Sequence, residues 1–126
     1  HYNFIYTGKN KIIVEADKKR IEQVIYNLLS NAINYSKTKK EIKINVVEEN
    51  DKYKIEVINW SFIKKEELKF IWDKYYRTDK NHKRNTVGTG LGLSIVKSIL
   101  ELHKFNYGVT SSKKEGTNFY FEIKKK

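Results

Sequence analysis

Residues 20–36, RIEQVIYNLLSNAINYS, place Ile21, Val24, Ile25, Leu28, Leu29, Ala32 and Ile33 at intervals of one, three and four. That recurrence gathers the apolar side chains onto one broad face of an α-helix. A helix with such a face needs a second layer to cover it. Asp17, whose short carboxylate suits an N-cap, stands just ahead, so the spacing predicts a helix over 18–36.

Around this helix the pattern changes to strand-like alternation. YNFIYTG and KIIVEA read as two short strands joined at Gly8-Lys9-Asn10 in a hairpin-style turn. EIKINVVEE and DKYKIEVIN, split by Glu49-Asn50-Asp51, read as a second hairpin. NYGVTSS and TNFYFEIKK close the chain as a strand pair around Lys113–Gly116. Residues 64–74 (KKEELKFIWDK) carry Leu68, Ile71 and Trp72 on one side of a predicted helix, and another amphipathic helix covers roughly 91–103. Between these two, residues 77–89 are polar, charged and aperiodic, a loop of a length that usually serves a function. The sum is an α+β two-layer sandwich: a mixed, mostly antiparallel sheet of about five strands packed on three helices. With no internal repeat and no linker, residues 1–126 read as one domain.

Composition narrows the function classes. Without Cys, neither a disulfide framework nor a thiolate metal site is possible, which fits a cytosolic compartment. No run of about 18 apolar residues is present, and no signal-peptide pattern opens the chain. The first residue is His1 rather than Met, so the expectation is a piece of a longer protein. The net charge of +11 makes nucleic acid or an anionic membrane a natural first thought. The basic residues are scattered in small clusters, however, at Lys37–Lys40, Lys64–Lys65, Lys80–Arg84 and Lys124–Lys126. No long basic helix and no interleaved aromatics accompany them, so direct nucleic-acid binding is not the reading.

Two features carry chemistry. NTVGTGLGLS (85–94) sets Gly88, Gly90 and Gly92 at alternate positions ahead of a predicted helix. Such a loop offers unpaired N–H groups and the positive end of a helix dipole to an anion. It lacks the G-K-[ST] ending of a Walker loop and the preceding strand of a Rossmann fingerprint, and a flexible turn would look the same. In the long helix, Asn27, Asn31 and Asn34 lie at i, i+4 and i+7, forming a carboxamide stripe beside the apolar one. Asn costs roughly half a kcal/mol against Ala in a helix, so three on one face call for a reason. Carboxamide oxygens are hard ligands that suit Mg²⁺; a merely solvated polar face is the plainer alternative.

In combination and in this order, the segments RIEQVIYNLLSNAINYS, FIWDKYYR, VGTGLGLSIVKSILELH and GTNFYF resemble the N, F, G2 and G3 boxes of sensor histidine kinases. Residues 10–125 are similar throughout to the catalytic, ATP-binding domain of that family, part of the ATPase group shared with DNA gyrase, the ninety-kilodalton heat-shock chaperone and MutL. The resemblance implies ATP and Mg²⁺ as cofactors. It implies that Asn27 and Asn31 face the triphosphate, with Asn31 holding the metal, and that Tyr35 packs against adenine. Asn34 occupies a position where relatives usually carry a basic residue, which shifts phosphate affinity toward Arg77, Lys80 and Lys83. Arg77 would contact phosphate or clamp the lid. Gly88, Thr89, Gly90, Leu91, Gly92 and Leu93 would form the phosphate loop and its anchors, with Val87 in place of a common extra glycine. Ile63 would line the pocket, and Thr117 would help bind the adenine edge.

One stretch departs from the family. Where relatives carry Asp-x-Gly-x-Gly, this chain reads Asn59-Trp60-Ser61-Phe62. Asn59 can still accept a hydrogen bond from the adenine amino group, but without charge assistance. The missing glycines leave open whether Trp60 and Phe62 invade nucleotide space or pack beneath the pocket. The implied reaction is γ-phosphoryl transfer from Mg·ATP to a histidine on a separate dimerisation domain, with the signal passing to a response regulator. The full-length kinase would be a homodimeric bacterial membrane sensor, and this fragment a cytoplasmic monomer. His82 and His103 do not match the acceptor context. Two rivals remain: a nucleotide-impaired, pseudokinase-like docking module, and a gyrase- or repair-type ATPase. The second would need a catalytic Glu, and Glu22 is poorly placed for that role.

Overall fold

The computed structural model describes residues 2–36, 39–74, 76 and 92–126. In chain order these form β1 (Asn3–Thr7), α1 (Lys18–Tyr35), β2 (Glu41–Glu48), β3 (Lys52–Asn59), α2 (Lys65–Leu68), α3 (Gly92–Leu102), β4 (Tyr107–Ser112) and β5 (Gly116–Lys124). The strands make one sheet in the order β1-β2-β3-β5-β4. β1 runs parallel to β2, and every other pair is antiparallel. The α+β sandwich read from the sequence is the architecture observed.

The layering follows from alternation. On β3, Tyr53, Ile55, Val57 and Asn59 are buried, while the residues between them are only partly covered. On β5, Phe119, Phe121 and Ile123 complete the same inner face. Val24, Leu28 and Ala32 of α1 and Val96, Ile99 and Leu100 of α3 share the core with these side chains. The opposite sheet face is polar and cross-linked. Lys52 pairs with Glu122 at 3.0 Å, and Asn118 Nδ2 donates to Glu56 at 2.8 Å. Such one-sided burial is what an antiparallel sheet permits.

α1 begins where expected: Asp17 Oδ1 accepts from the Arg20 N–H at 3.2 Å. His103 fastens this start to the end of α3. Its Nδ1 lies 2.9 Å from the Ile99 carbonyl, and its Nε2 accepts from the Asp17 N–H at 3.2 Å. The residue is a structural tie.

Two expectations fail. YNFIYTG and KIIVEA do not pair with each other. β1 instead lies along β2 in the register Asn3↔Glu41 to Thr7↔Asn45, and of the second segment only Val14 bridges, to Lys125. A two-stranded ribbon is marginal by itself, and joining the edge of a sheet already packed on helices is the more stable outcome. Gly8, at φ +135°, turns the chain off so close to β2 that a Cβ would stand 2.6 Å from the Val46 carbonyl oxygen. The helix predicted over 64–74 shrinks to Lys65–Leu68. Lys64 provides no side-chain cap, and the following turns close through i→i+3 bonds, Phe70 N–H to Glu67 O and Asp73 N–H to Phe70 O, both 2.9 Å. This tighter path drops Ile71 into the core and sets Trp72 edge-on to Tyr107 and Phe119, at 5.0 and 5.6 Å between ring centres. The loop predicted over 77–89 lies outside the described residues.

Candidate functional site

Asn27, Asn31 and Asn34 are all half-buried along one flank of α1. Of the three, Asn31 stands out, because its Nδ2 is buried and has no hydrogen-bond partner among the described residues. A buried amide left unmatched costs about 1–3 kcal/mol, so its retention asks for a ligand. Asn27 stands against the first turn of α3, where a Cβ on Gly92 would come within 3.9 Å of Asn27 Oδ1. The carboxamide stripe and the start of the second long helix therefore adjoin. Tyr35 closes α1, half-buried, within electrostatic reach of Tyr76. The Tyr76 phenol donates to Glu67 Oε1 at 2.7 Å. Chiefly through that bond, and secondarily through desolvation, it is pushed up to about 12.

α1 packs on β3, whose end carries a second polar cluster. Asn59 and Thr117 are neighbours in the β3–β5 register, and both are 0% exposed. Hydroxyl groups surround them. Ser61 Oγ reaches both Asn59 Oδ1 and Thr117 Oγ1, Ser111 Oγ lies 2.7 Å from Thr117 Oγ1, and the Ile63 N–H donates to Ser111 Oγ at 2.9 Å. Asn59 Nδ2, like that of Asn31, is buried and unpartnered among the described residues. Ile63 and Leu93 are buried in the hydrophobic core.

Trp60 and Phe62, which alternate with Ser61 and Ile63 at the glycine positions of the family pattern, do not join this polar cluster. Trp60 Nε1 donates to Glu41 Oε2 at 2.9 Å, and Lys39 and Lys43 sit over its ring at 4.9 and 5.5 Å. The hydrogen bond from Trp60, then Lys39 and Lys43, holds the Glu41 carboxyl below its ordinary value. Trp60 thus lies on the polar face of the sheet, lining an open cleft of about 430 Å³ with Lys43, Ile58, Thr110 and Asn118. Phe62 is 47% exposed beneath Lys113. Neither ring belongs to the core that α1 and β3 share.

Asn27, Asn31, Asn34 and Tyr35 lie on α1, Gly92 and Leu93 at the start of α3, Asn59 and Ile63 at and just beyond the end of β3, and Thr117 on β5, with α1 packed against both α3 and β3. Arg77, Gly88, Thr89, Gly90 and Leu91 lie outside the described residues, as does His82. Ser61 and Ser111 were not singled out from the sequence, since isolated serines carry no periodic signal. Glu22 is exposed. Among the described residues no group of three or more His, Cys, Asp or Glu could hold a metal, so ligation here would fall to carboxamide oxygen. The unmatched atom of Asn31 is its amide nitrogen, a donor that calls for an acceptor such as a phosphate oxygen, and a Mg²⁺ would have to be held by the carboxamide oxygen of the same side chain. No helix among the described residues is long and apolar enough to cross a membrane.

Comparison with known proteins agrees with this fold. Residues 16–126 match the family described as histidine kinase-, DNA gyrase B- and HSP90-like ATPase. The chain is 36% identical over 114 residues to the sensor protein RprX of Bacteroides fragilis, covering 88% of this chain and 22% of that protein. It is 37% identical over 112 residues to the sensor histidine kinase YkoH of Bacillus subtilis, covering 88% and 24%. The chain therefore spans about a quarter or less of the length of these curated relatives. Among solved structures, the nucleotide-free catalytic domain of histidine kinase ThkA superposes with a TM-score of 0.81 at 32% identity, covering 98% of this chain and 79% of that one.

Proposed function

Because the chain belongs to the histidine kinase-, DNA gyrase B- and HSP90-like ATPase family, we propose that it is the ATP-binding catalytic domain of a two-component sensor histidine kinase. The observation that carries this is the pair of unmatched buried amides, Asn31 on α1 and Asn59 at the end of β3, on two elements packed against each other. A nucleotide lying between them would meet Asn59 and Thr117 with its base and the asparagine stripe with its phosphates.

Mg·ATP supplies the transferable γ-phosphoryl group and the charge that offsets its oxygens. The chain's own part is positioning. Asn31 would hold the metal, with Asn27 beside it at the start of α3. Asn59 would present a hydrogen-bonding edge to the base, steadied by Ser61 and Thr117, and Tyr35 would flank the ring. Arg77 and the Gly88–Leu93 segment would complete the phosphate end. Catalysis of this type rests on orientation and charge neutralisation rather than on a covalent intermediate. The acceptor histidine and the general base would lie on the kinase's own dimerisation domain, and the phosphoryl group would pass from there to a response regulator. In that setting the domain is the cytoplasmic part of a homodimeric bacterial membrane sensor, monomeric when isolated, and it does not bind nucleic acid directly.

The rival is a docking module that no longer binds nucleotide, motivated by the altered Asn59-Trp60-Ser61-Phe62 stretch. The outward placement of Trp60 and Phe62 weighs against it. Calorimetric titration with ATP, with and without Mg²⁺, separates the two readings. Saturable, Mg²⁺-enhanced binding is the expected result, and no binding at millimolar nucleotide would leave the docking reading standing.

A further inference from the structure

The protons around Asn59 can be assigned one by one. The Ile63 N–H donates to Ser111 Oγ at 2.9 Å, and with the Thr117 proton directed to the Ser61 carbonyl, it is Ser111 that donates to Thr117 Oγ1, 2.7 Å away. Thr117 donates to the Ser61 carbonyl at 3.1 Å. The Ser61 hydroxyl then has one proton and two acceptors in reach, Asn59 Oδ1 and Thr117 Oγ1. Two arrangements satisfy every hydroxyl. In the first, Ser61 donates to Asn59 Oδ1, and the amide presents its unmatched Nδ2, a donor. In the second, the amide is turned by half a rotation: Nδ2 donates to Ser61 Oγ, Ser61 donates to Thr117 Oγ1, and the carboxamide oxygen is presented instead. The two ends of an amide are alike in size, so the turn asks only that the Ser61 hydroxyl draw back from its close contact with Asn59 to N–H···O distance. A carboxylate at this position would offer an acceptor only.

We propose that Asn59, turned by the Ser61–Thr117–Ser111 hydroxyl chain, reads the 6-position of a purine as either donor or acceptor, so that the pocket takes 6-oxopurine nucleoside triphosphates as well as 6-aminopurine ones. The inference rests on the nucleotide-binding reading above and adds the base selectivity of that site. Asn59 and Thr117 are fully buried, so the amide end left unmatched there has no water to pair with and gains most from a complementary base edge.

The test is calorimetric titration of the 126-residue chain with Mg²⁺ and either ATP or inosine triphosphate, which carries a 6-oxo group without the 2-amino group of guanine. The expected result is dissociation constants within about tenfold of each other, because each base finds a neutral partner. Asn59→Asp fixes an acceptor, and should weaken inosine triphosphate relative to ATP by a further thirtyfold or so. Inosine triphosphate binding more than about tenfold weaker than ATP to the unsubstituted chain overturns the inference and leaves the nucleotide reading intact. Failure of ATP itself to bind overturns both. Because the unsubstituted chain decides the matter, a misfolded Asn59→Asp variant does not rescue the inference.

Discussion

Gly116→Ala probes the tightest approach to neighbouring main chain among the described glycines. Gly116 opens β5 at φ +82°, a conformation that costs a side-chain-bearing residue about 1–2 kcal/mol. Its added Cβ would point directly onto the Asn59 carbonyl oxygen and stand 3.3 Å from the Asn59 carbonyl carbon. Both are main-chain atoms of a strand held in register with β5, so neither can rotate aside, and the overpacking adds about 1–3 kcal/mol. The sum is a loss of roughly 2–5 kcal/mol. With a urea slope of about 2 kcal/mol per molar, the unfolding midpoint should fall by about 1–2.5 M, read by circular dichroism. Gly108→Ala is the internal control. Its Cβ would meet the outer end of the Tyr120 side chain, 2.7 Å from Cζ, and that ring lies on the polar face where it can swing away. The control should cost less than about 1 kcal/mol. A Gly116→Ala midpoint within about 0.3 M of the parent, or a control that costs as much, would refute the reasoning.

Asn31→Leu should separate stability from function: removing the unmatched amide leaves stability unchanged or raises it by about 1 kcal/mol, while Mg²⁺-dependent nucleotide binding disappears. Thermal unfolding and titration of the same sample check both halves, and a variant that still responds to Mg²⁺ would remove Asn31 from the ligand set. The alkaline limb of stability should depend on two phenols. Tyr107 is pushed up to about 12 by burial first and by its 2.7 Å bond to Glu101 second, and Tyr76 reaches about 12 through Glu67. Because the folded state favours the neutral phenol, their contribution is whole below the ordinary value of 10.0 and is lost as pH climbs toward 12. Melting temperatures measured from pH 9 to 12 should fall less steeply in a Tyr76→Phe, Tyr107→Phe double variant, and an unchanged slope would be inconsistent with this assignment.

Much of the fold was legible because its signals are local. Ile21 to Ile33 announce α1 by spacing, and Asp17 marks its start. Glu49-Asn50-Asp51 and Lys113–Gly116 sit between alternating segments, and both hairpins form there. β1 was misjudged because its partner is chosen by topology: nothing within YNFIYTG says that Ile42 and Ile44 will lie beside Phe4 and Tyr6. α2 was overextended because Ile71 and Trp72 satisfy a helical pattern and a tight turn equally well, and the core decides between them. The asparagine stripe was legible as a ligand face from its spacing. The Ser61–Thr117–Ser111 chain was not, since it joins residues 6 and 56 positions apart through hydroxyls that leave no periodic trace.

The parallel pairing of β1 with β2 also bears on the order in which the molecule assembles. Each antiparallel hairpin closes over a few residues, so its strands can meet within microseconds of being free to do so. β1 has no such local partner. It must wait until residues 8–40, including all of α1, have been threaded across the sheet before Asn3 can find Glu41. Parallel pairing across a helical crossover raises the sequence separation of contacts and slows folding accordingly. The first strand of the sheet in chain order is therefore among the late ones to dock, and its exposed Phe4 and Tyr6 spend that interval as an open edge.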